Sequence, residues 1–137
     1  MRFMMLVKHD EIQAPPPKEF LDAMAKLGEE AEKSGTMIAS GGLSPIAKSA
    51  RVRLSRGQVN ALDGPFAEAK EVVGGFAIFE LKSKEDAIEG AKRFMELHKK
   101  YWPGWEGETE IRQIFTQQDY TLESGNLSLK PYCIHNS

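Results

Sequence analysis

Two side chains suited to moving a proton fall where the chain can aim them at a cleft. Asp63 opens the run Asp63-Gly64-Pro65-Phe66-Ala67-Glu68. Gly tolerates positive φ, while Pro fixes φ and lacks an N–H, so the chain bends directly after the carboxylate and Asp63 stands at a strand end. His98 follows Phe94 by one helical turn on an apolar stripe and points inward or into a cleft. A carboxylate beside that imidazole would raise its pKa, fix its tautomer and make a dyad able to shuttle a proton. The alternatives are that Asp63 bonds the backbone of its own turn and that His98 lies in a frayed last turn, packed on Trp102. Arg51 and Arg53 project together from one face of a hairpin near the Asp63 end, as anion contacts or as a solvated face. Phe66, Trp102 and Trp105 could line a pocket for a flat substrate, or pack a core or an interface.

No metal and no cofactor are expected. His9-Asp10-Glu11 contains ligand types, but neighbours in a strand point to opposite sides and cannot converge on one ion. Gly41-Gly42 lacks the further glycines and the Lys-Ser/Thr ending of a phosphate-binding loop. The 137 residues suffice for one domain with one sizeable core. With 18 basic and 20 acidic residues there is no electrostatic footprint for direct nucleic-acid or membrane binding. The single Cys133 excludes an internal disulfide framework and fits a reducing cytoplasm. Met1 to Val7 is too short for a signal peptide, and no window is long enough for a membrane span.

The elements that must position these residues follow from periodicity. Arg2 to Lys8 alternates with apolar residues on both sides, which predicts a strand covered twice. Pro15-Pro16-Pro17 leads into a helix over Lys18 to Ser34, with Phe20, Met24, Leu27 and Ala31 as its stripe and Gly35 as its stop. Thr36 to Ala39 reads as a short strand, and Ser40 to Pro45 as a glycine loop. Arg51 to Leu62 reads as a hairpin turning at Arg56-Gly57, with Leu54 opposite Val59, Val52 opposite Ala61 and Arg53 opposite Asn60. Glu71 to Leu81 is a second strand apolar on both sides, Val73, Ala77, Phe79 and Leu81 against Phe76 and Ile78, with Gly74-Gly75 marking a bulge or a close backbone approach. Ser83 caps a helix to about Lys100, the aromatic loop Tyr101 to Trp105 ends it, and Glu108 to Phe115 is the last strand. Residues 118–137 read as a C-terminal extension outside a domain of residues 1–117.

Two helices cover only one face of the sheet, yet both central strands are apolar on the other. At about 25 cal/mol per Å² of apolar surface, an open face forgoes several kcal/mol, and a second copy of the chain is the simplest cover.

The Asp63-Gly64-Pro65-Phe66-Ala67-Glu68 run, with Lys70-Glu71 and Gly74-Gly75-Phe76, resembles the signature of the DGPF-domain proteins of the YCII-related family. The resemblance extends from Met1 to about Phe115. It implies an α+β, ferredoxin-like protomer, with an antiparallel sheet and two helices on one face, that pairs into a dimeric α+β barrel. Many members carry a histidine in the first helix as a catalytic residue, and here Lys18 to Ser34 has none. Places often held by a glutamate and a threonine in DGPF proteins look like Gly41 and Ala69.

Three readings are thus in view. One is a cofactor-independent acid/base enzyme for a small organic molecule, with Asp63 and His98 as the acid and base. Another is a small-ligand-binding or regulatory module, because DGPF domains are similar to segments found fused to, or encoded beside, extracytoplasmic-function sigma factors. A purely structural dimer, with Asp63 capping its turn and no pocket, is the third.

Overall fold

A computed structural model describes residues 1–10, 14–66 and 72–117. Glu68, Lys70 and Glu71 of the motif and the extension from residue 118 lie outside the described residues. The elements run β1 (Arg2–His9), α1 (Lys18–Lys33), β2 (Met37–Gly42), a single 3-10 turn (Ile46–Lys48), β3 (Ala50–Ser55), β4 (Gln58–Asp63), β5 (Val72–Glu80), α2 (Lys84–Tyr101) and β6 (Gly107–Ile114). β2, β5, β1 and β6 lie side by side in that order in one antiparallel sheet, and β3 and β4 make a separate ladder. Apart from the inserted hairpin this is the ferredoxin-like order of an α+β protein.

Phe3 and Met5 point from β1 to the helix side and are buried with Ala87 and Ala91 of α2, while Phe79, Leu81 and Ile111 pack against them. Ala87 has no exposed surface, so the small residues of α2 set how closely the helix approaches the sheet. Ser83 caps α2 by accepting the Asp86 N–H at 3.1 Å. α1 ends at Gly35, whose φ of 78° lies in the left-handed region, as its stop residue requires.

The opposite face carries Met4 and Leu6 of β1 beside Ile78 and Phe76 of β5, all half-exposed. Lys8 pairs with Glu110 at its rim and holds that carboxyl below the usual carboxylate range. Two details differ from the periodic reading. Ser40, Gly41 and Gly42 are not loop but the end of β2, opposite Ala77, Phe76 and Gly75. The Phe76 ring lies so close to Gly41 that an added Cβ would stand 3.1 Å from it, and the ring would have to shift by a few tenths of an ångström. Second, the register of β1 on β5 slips after Val7, so Val73 pairs with Lys8 and leaves the side of Ala77 and Phe79.

The hairpin follows the expected register, Leu54 opposite Val59, Val52 opposite Ala61 and Arg53 opposite Asn60. Arg56 and Gly57 turn it with φ of 53° and 79°. One of its faces is a bare apolar row, with Val52 at 73%, Leu54 at 71% and Val59 at 68% exposure.

Candidate functional site

The residues singled out in the sequence separate into two groups. Asp63, Arg51, Arg53 and Phe66 lie at the open end of the hairpin. His98, Trp102 and Trp105 lie where α2 runs out into β6.

At the hairpin end the turn is closed by backbone rather than by the carboxylate. The Gly64 N–H donates to the Ser49 carbonyl at 2.8 Å, the peptide between Gly64 and Pro65 is cis, and a Cβ at Gly64 would overlap the Ile46 carbonyl oxygen. Asp63 is exposed, and among the described residues its carboxylate makes no hydrogen bond to the Phe66 amide; Ala67 lies outside them. The Arg51 guanidinium stacks 3.8 Å from the Phe66 ring centre, a cation–π contact that holds both side chains, and Arg53 is exposed on the same face.

His98 is only 4% exposed, so the last turn of α2 is not frayed at this residue. Its Nδ1 lies 2.9 Å from the Phe94 carbonyl, which can only accept, so Nδ1 carries the proton and the neutral ring keeps its lone pair on Nε2. Aromatic rings surround it, with centres at 4.1 Å for Trp105, 4.5 Å for Phe20 and 4.7 Å for Phe94. Trp102 lies parallel to it within 9° at 6.5 Å. Burial lowers the imidazole pKa below its ordinary value; the Phe94 carbonyl opposes this, and the nearby His9 adds to it. The loop that delivers both indoles is tightly wound. The Trp102 N–H donates to the His98 carbonyl at 2.8 Å, the Trp105 N–H to the Trp102 carbonyl at 3.1 Å, and Gly104 takes a φ of 86°.

Beside this ring nest an open cleft of about 480 Å³ is lined by Met95, His98, Lys99, Trp102, Trp105 and Glu106. A second cleft of about 550 Å³ shares Met95 and continues between α2 and β6 over Thr109 and Ile111. The Thr109 hydroxyl is buried there and has no partner among the described residues.

The Asp63–His98 dyad does not form within the chain: no hydrogen bond or ion pair joins the two among the described residues. His98 spends its donor on its own helix and is walled by rings, while Asp63 sits on a ladder separate from the main sheet. What the sequence reading missed is His9, whose ring lies edge-on to Trp105 at 6.1 Å. The Gly74-Gly75 pair in the facing strand was its only local sign. Among the described residues no three ligand-type side chains gather as for a metal ion, and no helix is long and apolar enough to cross a membrane.

A family model described as YCII-related domain matches residues 1–99. No curated protein matches the chain. Among solved structures, it is similar to the 5-chloro-2-hydroxyhydroquinone dehydrochlorinase of Burkholderia phenoliruptrix AC1100 in complex with 2,5-dihydroxybenzoquinone, at 16% identity and a TM-score of 0.43, over 86% of this chain and 97% of that one.

Proposed function

The chain belongs to the YCII-related domain family, and on that premise we propose that it is a cofactor-independent enzyme that takes a proton from a small, flat, weakly acidic organic molecule such as a phenol. One observation carries this reading: a buried imidazole, kept neutral by its surroundings and with Nδ1–H already committed, borders an open cleft walled by two indoles. In that state Nε2 has a free lone pair able to accept a proton, and the indole faces suit a planar ring. The proton leaves the ligand's O–H for Nε2, giving an imidazolium and an oxyanion. This reading gives Asp63, Arg51, Arg53 and Phe66 no part in the step, since none of them is among the described residues that line the cleft.

A second reading is favoured by the missing carboxylate partner of His98: a small-ligand-binding or regulatory module, of the kind associated with extracytoplasmic-function sigma factors, with a cleft and no proton chemistry. Absorbance titration with 4-nitrophenol separates the two. The enzyme reading expects wild type to ionise the bound phenol below its free pKa, and His98→Gln to bind it without ionising it. Equal ionisation in both proteins, or binding without ionisation in wild type, sinks the enzyme reading.

We propose further that the protein is a cytoplasmic homodimer. Supporting this are the half-exposed Met4, Leu6, Phe76 and Ile78 on the uncovered sheet face and the single cysteine. Sedimentation velocity should give twice the chain mass for wild type and a monomer for Leu6→Glu combined with Ile78→Glu. A monomeric wild type would remove the proposal.

A further inference from the structure

β1 ends on His9, and the strand beside it bulges there. Val7 faces Gly75 and Lys8 faces Val73, which leaves Gly74 as the extra residue. His9 shares the parity of Phe3 and Met5, so its ring rises from the helix-covered face, the side on which His98 is buried. A Cβ at Gly74 would overlap Nε2 and Cδ2 of His9, so only glycine leaves the imidazole its place. On the other flank of β1 the arrangement repeats. A Cβ at Gly107, the residue paired with His9, would overlap the Trp105 indole that touches His98. Two glycines on the strands either side of β1 therefore seat two rings, His9 and Trp105; Trp105 lies between the imidazoles, 6.1 Å from His9 and 4.1 Å from His98 by ring centres. The His9 Nδ1–H donates to the Asp10 carbonyl at 2.6 Å, so the neutral ring has the same tautomer as His98, with its lone pair on Nε2.

We propose that His9 is the second imidazole of this site, placed by the bulge at Gly74 so that, when protonated, it faces the anion formed at His98. The inference rests on the reading of His98 as a proton acceptor. The ligand O–H bond breaks, an N–H bond forms on His98 Nε2, and the oxyanion left behind lies in the field of the His9 imidazolium. No oxidant, reductant or further reactant is needed.

A positive charge on His9 opposes one on His98 until the ligand's oxyanion forms beside them. Among the described residues the ionisable groups around the pair are few. Lys99 and Glu106 rim the cleft from α2 and the loop after it, and Asp10 reaches His9 through its carbonyl. α1 presents Phe20 and β5 presents Gly74, neither of which titrates. After burial, the His9 charge is what holds His98 down.

The test is an NMR titration of the histidines in the full chain, with 4-nitrophenol binding measured alongside, in wild type, His9→Phe and Gly74→Ala. His9→Phe keeps a ring against Trp105 and removes the charge; Gly74→Ala keeps the histidine and displaces it. Both should move the His98 midpoint upward and weaken 4-nitrophenolate binding by up to about five-fold, the size of one partly exposed charge contact. A His98 midpoint unmoved in His9→Phe overturns the inference and leaves His9 a packing residue. If that midpoint moves but wild type binds no 4-nitrophenol, the imidazole pair is upheld and the proton-transfer reading of His98 is what falls.

Discussion

Phe20→Ala is expected to lose about 3–5 kcal/mol of stability, the range for removing a buried aromatic side chain. Phe20 is the one buried side chain of α1, at 3% exposure, and it fills the space between His98 and Trp102 at 4.5 and 5.1 Å. Water entering that space relieves the burial that depresses His98, so its pKa should rise toward the ordinary value of 6.5. The sign of the pH effect follows. In wild type the folded pKa lies below the unfolded one, so the unfolded chain binds more protons as the pH falls below about 6.5. Stability from this residue is complete above that pH and is lost as the pH falls through the folded value. Urea unfolding on either side of about pH 6.5 should therefore show a shallower pH dependence in Phe20→Ala than in wild type. A loss under about 1 kcal/mol, with the dependence unchanged, would mean that the other rings close over the gap.

Gly107→Ala should also be destabilising, although it adds a single methyl group. That methyl would meet the Lys8 carbonyl on one side and the Trp105 indole on the other. Relief therefore needs both the β1–β6 ladder to open at His9 and the indole to leave its seat against His98. Overpacking of this kind costs about 1–3 kcal/mol. The displaced indole should give red-shifted tryptophan fluorescence and a weakened near-ultraviolet dichroism signal. A variant with wild-type stability and spectra would show that Gly107 does not hold the ring.

These two residues also mark what could be read from the sequence. Phe20 announced itself, because a helical stripe names its own buried face. The hairpin did so too, since Arg56-Gly57 and the alternation around it fix turn and register locally. Gly107 and Gly41 gave no such signal. Gly107 is crowded by the Lys8 carbonyl and Gly41 by the Phe76 ring, each on the strand paired with it, and those neighbours are known only once the strands are paired. Val73 changed faces for the same reason, since the residue a bulge releases depends on the partner strand. Asp63 and His98 were each placed correctly on their own elements, a strand end and the inner face of a helix. The link between them was not local, and no periodicity says how far a separate hairpin stands from the end of α2.

The separate ladder of β3 and β4 has a thermodynamic meaning of its own. Among the described residues its strands share no hydrogen-bonded neighbour with the four-stranded sheet, and its apolar row adds nothing to the buried cluster around Phe3 and Met5. A hairpin alone is marginal in water. The arm can therefore open while the sheet stays intact, as a cooperative unit distinct from the core. The protein then has two folding free energies rather than one, and a substitution at Val52 or Leu54 can alter the smaller while leaving the larger untouched.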